Sequence, residues 1–188
     1  MTMRERIAAG KLFTDMCEGL PEDRLKAKQL QQKFNASDPA DMEGRMQILS
    51  EIFGGECHAY IEPPFYFCYG TNISIEGAYI NVNCNFIDDG KITIGKNVLF
   101  GPAVTIATVG HPIAPDMRGY MYCDPVTICD NVWVVGRQHH MPRRDHRRKL
   151  RDRRRKRGDK GHPRKCHRRR KPLPGDPGDR GAGQEVLL

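Results

Sequence analysis

Between Lys91 and Pro112 the sequence KITIGKNVLFGPAVTIATVGHP repeats every six residues: Ile94, Phe100 and Ile106 are large and apolar, and each is followed by a small residue, Gly95, Gly101 and Ala107. A six-residue period matches neither the 3.6 of an α-helix nor the 2 of a plain strand. A hexapeptide repeat of this form is the signature of a parallel β-helix, whose stacked coils bury a shared core. The run ends on His111, between Gly110 and Pro112, a turn-forming setting that can hold an imidazole out of the prism wall.

Short β-prone pieces flank this stretch: YIEPPFYFCYG and ISIEGAYINVNCNFIDD before it, Pro125 to Val135 after it. Pro63-Pro64 suits a bend or an edge rather than a central strand, and the Gly and Asn residues between apolar pairs suit corners that need left-handed backbone. Residues 3–53 read as helical. Pro21 marks a helix start with Leu25, Leu30 and Phe34 as part of an apolar stripe. Asp38 is placed to cap a second helix carrying Met42, Met46, Leu49 and Phe53, which Gly54-Gly55 ends. Asp15, a carboxylate among the apolar residues of LFTDMCEGL, is the one residue there that packing does not explain.

At 188 residues the chain is long enough for one domain with appendages. Its charge divides sharply. Residues 1–136 hold 11 Lys/Arg against 17 Asp/Glu, and residues 137–188 hold 20 against 6 in a segment without Phe, Tyr, Trp, Ile, Ser, Thr or Asn. That tail lacks the composition of a packed domain and reads as disordered. The division expected is therefore a helical segment at 1–55, a repeat segment at 56–136 and a basic tail at 137–188. Seven scattered cysteines without a Cys-x-x-Cys pair favour free thiols in a reducing compartment. With no signal-peptide core and no run of membrane-spanning length, a soluble, cytoplasmic protein is expected. Outside the tail only His58 and His111 are available, too few for a three-histidine zinc site, so no metal is expected.

Several segments together resemble the sugar O-acetyltransferases, the galactoside and maltose acetyltransferase group of the left-handed parallel β-helix superfamily. They are GKLFTDMCEGLPEDR, EPPFYFCYG, NVNCNF followed by IDD, ITIGKNVLFGPAV, VGHPI, and PVTI with DNVW up to Trp133. The resemblance implies a mainly β fold, a left-handed parallel β-helix behind an N-terminal α-helical segment. It implies transfer of acetyl from acetyl-CoA to a sugar hydroxyl, and a homotrimer whose sites lie between neighbouring subunits. It makes His111 the general base, since a sugar hydroxyl must lose its proton as it attacks and an imidazole titrates in the useful range. By the same alignment Asn81 and Asp89 contact the acceptor, Asp15 is a helical contribution to that pocket, Met121 lines it, and Trp133 lies on the acetyl-CoA side. Cys68 stands where the galactoside enzyme has a serine, so that hydrogen bond is weakened or lost. On spacing alone Asn81 could equally be a left-handed corner residue, and Met121 and Trp133 ordinary packing.

The tail admits two readings. As a polycation it could bind nucleic acid through phosphates, although it has no aromatic residues to stack bases. The second reading is a slipped frame. Every His codon is CAY and every Asp codon GAY, so reading one base later gives AY plus the first base of the next codon. No His or Asp of the tail precedes a codon starting with G, so all ten of these positions become Ile or Thr, and His140, His146 and Asp152 place them at intervals of six. With permitted codon choices, Arg137 onward spells Gly-Ser-Ile-Ile-Cys-Pro-Gly-Val-Thr-Ile-Gly-Glu-Asn-Cys. Cys166 to Asp179 spells Val-Ile-Ala-Ala-Gly-Asn-Pro-Cys-Arg-Val-Ile-Arg-Glu-Ile. The residues after about Gly136 thus read as a frameshift product, the β-helix as truncated, and its acetyl-CoA-binding coils as lost.

Overall fold

The computed structural model describes residues 1–135, within one compact unit, Met1–Gln138. The basic tail expected at 137–188 lies outside the described residues. Three helices come first: α1 (Met3–Ala8), α2 (Leu20–Asn35) and α3 (Met42–Phe53). Twelve short strands follow: β1 (Ala59–Ile61), β2 (Phe65–Phe67), β3 (Ile73–Ile75), β4 (Ala78–Ile80), β5 (Cys84–Ile87), β6 (Ile92–Ile94), β7 (Val98–Phe100), β8 (Thr105–Ala107), β9 (Val109–Gly110), β10 (Tyr122–Cys123), β11 (Val126–Ile128) and β12 (Trp133–Val134).

Up to β8 successive strands go to different sheets and every third one returns to the same sheet one layer up; after the inserted antiparallel pair β9 and β10, β11 and β12 resume the order. The three parallel sheets run β1-β4-β7-β12, β2-β5-β8 and β3-β6-β11 and wall a prism. The six-residue period supplies its interior: Ile94 and Phe100 are sealed and Ile106 is buried. Phe86 meets Phe65 edge-on with centroids 5.1 Å apart, and lies 5.3 Å from Phe100, so an aromatic stack fills the axis. The corners use left-handed backbone at Asn83, Asn97, Ala103 and Asn131. Asn81 is not among them, which removes the corner explanation for that residue. Gly95 is required by closeness: a Cβ there would sit 2.9 Å from the Asp130 amide nitrogen in the next layer. The Pro63-Pro64 bend, with a cis peptide, turns the chain between β1 and β2.

The helices differ from the sequence reading in four ways. Residues 11–19 are not helical, because Gly10, at φ 63°, ends the first short helix. Phe13 instead bridges to Met121 through reciprocal backbone bonds of 2.9 Å. Leu25 faces solvent, and the inward stripe of α2 is Leu20, Ala27 and Phe34. Asp41, rather than Asp38, caps α3 by accepting from the Gly44 amide, while Asp38 closes a local turn on Ala40. Of the expected α3 stripe, Leu49 is buried and Met46 and Phe53 pack against the core while Met42 is exposed; the buried face also takes in Arg45, Ile48 and Ile52. Cys17, Cys57, Cys68, Cys84 and Cys123 are free thiols, whereas Cys129 is disulfide-bonded, a departure from free thiols throughout.

α2 and α3 close the first end of the prism. Phe34, Ile48, Leu49 and Ile52 join one core with Ile61, Phe65 and Phe67. Side chains of the helices also bond the first strands. The Asn35 side chain exchanges two bonds with the Phe65 backbone, Gln31 accepts from the Phe67 amide, Lys28 donates to the Phe67 carbonyl, and Arg45 donates to the Ile61 carbonyl.

Candidate active site

The corner after β5, Ile87-Asp88-Asp89-Gly90, is where coils are locked together. Asp88 is fully buried, and its carboxylate accepts the amides of Cys68 at 2.8 Å, Tyr69 at 2.9 Å and Gly70 at 2.7 Å from the layer below. Toward the layer above, Thr108 donates to the Ile87 carbonyl and accepts the Gly90 amide, both at 2.8 Å. Burial pushes the Asp88 carboxyl up, and the three amides restrain the rise.

With Asp88 committed to the backbone, Asp89 is the carboxylate left to face a small cluster. It is buried and raised above its usual range, first by desolvation and then by Asp88, against the pull of the Cys68 thiol and Arg24. The thiol hydrogen-bonds Asp89, and burial together with the two aspartates pushes Cys68 up to about 12. Cys123 is also pushed up to about 12 by burial and then Asp89 and Asp124. Tyr69 reaches about 12 by burial and then Asp89, and its hydroxyl, although buried, has no hydrogen-bond partner among the described residues. Arg24 completes the cluster and pairs with Asp15, which sits in the non-helical segment before α2. The expectation of a helical Asp15 is therefore corrected, because its position is set by the Phe13–Met121 bridge and by Arg24.

His111 leaves the prism on a loop between β9 and β10. These pair antiparallel, Gly110 opposite Tyr122 and Val109 opposite Cys123, a register that puts His111 across from Met121. Gly110 lets the Tyr122 ring lie close over the backbone, since a Cβ would sit 2.7 Å from it. The His111 Nδ1 is 2.9 Å from the Arg118 carbonyl and 3.1 Å from the Tyr120 carbonyl. Carbonyls only accept, so Nδ1 carries the proton and Nε2 keeps its lone pair. The ring is exposed, and Met121 is packed with Phe13 and Cys123.

Of the residues singled out by sequence, the structure gathers Asp15, Cys68, Asp89, Met121 and His111 on this side of the prism. Asn81 and Trp133 are elsewhere. Asn81 follows β4 at the opposite end of β5 from Asp89, a strand of about 13 Å at its usual rise, and its Oδ1 accepts from the adjacent Val82 amide. Trp133 points outward and is 70% exposed, in register with Leu99 and, one and two layers further down, Tyr79 and Tyr60. Sequence reasoning missed Asp88, Tyr69, Arg24 and Cys123. The doubled aspartate of IDDG was the available signal for Asp88, since only one carboxylate of such a pair can face the same way. Among the described residues no group of three His, Cys, Asp or Glu is placed to hold a metal, and no helix is long and apolar enough to cross a membrane.

Residues 6–55 match the family model of the maltose acetyltransferase hexapeptide capping motif. The chain is 51% identical over 139 residues to galactoside O-acetyltransferase of Escherichia coli K12, covering 71% of this chain and 68% of that protein. Among solved structures, a galactoside acetyltransferase in complex with coenzyme A superposes with a TM-score of 0.65 at 50% identity, over 71% of this chain and 68% of the other. A maltose O-acetyltransferase from Clostridium difficile 630 gives 0.69 at 37% identity, over 72% and 75%. With these relatives the three-sheet prism is a left-handed parallel β-helix.

Proposed function

The chain belongs to the galactoside and maltose O-acetyltransferase family of hexapeptide-repeat proteins, and on that footing we propose that its site is built to acetylate a hydroxyl of a galactoside, maltose or glucose-like sugar with acetyl-CoA as donor. The observation that carries the reading is the fixed tautomer of His111. Two carbonyls hold the proton on Nδ1, so Nε2 is free to accept the proton of a bound hydroxyl and the imidazolium that results stays hydrogen-bonded. Asp89 would accept a second sugar hydroxyl. Asp15, oriented by Arg24, borders the same space, and Met121 offers an apolar surface beside His111. Cys68 is a thiol donor already engaged with Asp89, so it serves a sugar less well than the serine of the galactoside enzyme would.

Acetyl-CoA supplies, when bound, an acyl carbon activated as a thioester. Its diphosphate needs N–H or cationic donors, and the arginines of this region are committed, Arg118 to the Ile113 carbonyl and Arg24 to Asp15. The geometry of His111, Asp89 and Asp15 thus bears on the acceptor half of the reaction. Asn81 and Trp133 lie on other parts of the prism from His111, and a homotrimer in which a neighbouring copy's Asn81 and Trp133 complete the site belongs to the same reading. Cytoplasmic residence belongs to the same reading. No observation favours the nucleic-acid alternative, whose residues lie outside those described.

The test is acetyl transfer from acetyl-CoA to galactosides, maltose and glucose, measured for this chain and for a version with the frame restored after Gly136. The restored protein should turn over at least one of them, with sedimentation reporting three copies, and His111→Ala should lower kcat by about 10²- to 10⁴-fold. Turnover that His111→Ala leaves unchanged would refute the assignment.

A further inference from the structure

At the far end of the prism β8, β11 and β12 each have a parallel neighbour on one side and, among the described residues, none on the other. We infer that this end is a docking face for further hexapeptide coils, and that the gene encodes those coils one base out of frame with residues 137–188.

The argument is one of register. In the uppermost described layer Ile128 lies beside the sealed Ile94, and Val134 lies beside the sealed Phe100, so interior positions fall at 128 and 134. Continuing by six gives 140, 146 and 152. These are His140, His146 and Asp152, three positions that the codon table converts to Ile or Thr in the shifted frame whatever synonymous codons are used. The residues just before interior positions face outward and are β-prone, as Thr93, Thr105 and Thr127 show. His139 and Asp145 fall there and become Ile or Thr by the same rule. A slip of one base between codons 134 and 137 keeps residue numbering unchanged, so the shifted coils continue the prism without an insertion. A tail unrelated to the prism has no reason to fall in phase with a ladder set by Ile94 and Phe100.

One further observation agrees: about a third of the Escherichia coli relative lies outside the shared stretch. The coils supply a partner of stated chemistry: short β-branched strands that satisfy the open edges, with backbone amides to offer. The inference rests on family membership and not on the acetyl-transfer reading.

The first test is the nucleotide sequence of codons 133–180. The shifted frame should run without a stop and place Gly, Pro or Asn at the corners; a stop codon before codon 179, or bulky apolar residues at those corners, would overturn the inference. The second removes one base near codon 136 and compares the restored protein with the present chain. Its melting temperature should rise by about 10 °C or more, and coenzyme A alone should bind the restored protein and not the present one. Equal melting temperatures with equal coenzyme A binding would sink the idea. A restored protein that is stabilised and binds coenzyme A yet acetylates no sugar would leave the coils standing and remove the function proposed above.

Discussion

The two ends of the prism are finished differently. At the helical end four side chains, Lys28, Gln31, Asn35 and Arg45, take up backbone groups of β1 and β2 that a preceding coil would otherwise bond, while Phe34 and Ile52 cover the core. At the other end β8, β11 and β12 have neither kind of cover among the described residues, and Ile128 and Val134 are only half-buried. In a stacked repeat each coil is stabilised mainly by its neighbours. A cap must therefore supply both apolar contact and hydrogen-bond partners, since an open edge otherwise invites other strands. The largest expected effect follows directly. Phe34→Ala should destabilise by about 3–5 kcal/mol, and Val134→Ala by less than about 1 kcal/mol, in urea denaturation. Comparable losses at the two sites would mean that the far end is as well covered as the near one.

The same contrast decided what sequence could reveal. Ile94, Phe100 and Ile106 were legible because one period fixes both the fold and the side facing inward. α2 was legible by its Pro21 start but not by its face. Leu25 looks like stripe and is solvent-facing, while Ala27 packs, because α2 lies along the edge of β2 and presents Lys28, Gln31 and Asn35 to it. His111 stood out through its turn and its resemblance. The Nδ1 contacts that fix its ring come from the carbonyls of Arg118 and Tyr120, and carbonyls leave no trace in a sequence. Asp88 and Asp89 are adjacent, and only the layered corner separates a latch from a site carboxylate.

That pair offers the next test. Asp88→Asn keeps one acceptor oxygen and turns an NH₂ toward backbone amides, so a loss of about 2–3 kcal/mol is expected. Asp89 should respond in the opposite sense. Its folded pKa is raised above the usual carboxylate range by burial and then by Asp88, so its contribution to stability is fully present below the unfolded pKa and is lost as pH rises through the folded one. Asp89→Asn removes that loss. At pH 7 it should stabilise by about 1 kcal/mol, or roughly 2–4 °C in Tm for a chain of this size, with stability flatter across the acid range, while acceptor binding in the restored enzyme falls. A lower Tm for Asp89→Asn at pH 7 would show that Asp89, like Asp88, is holding the coils together.

The smallest effect is expected at Tyr69, between latch and site. Its hydroxyl is buried without a partner among the described residues, and an unmatched buried polar group contributes nothing that its removal would forfeit. Tyr69→Phe keeps the ring, which packs against the corner that Asp88 fixes, and deletes only the oxygen. Stability should stay within about 0.5 kcal/mol of the parent or rise slightly, and the acid-range profile set by Asp89 should keep its shape. A loss of more than about 1 kcal/mol would show that the hydroxyl is satisfied by a bound water. A change in the pH profile alone would place that water against Asp89 and would make Tyr69 a part of the acceptor site instead of its wall.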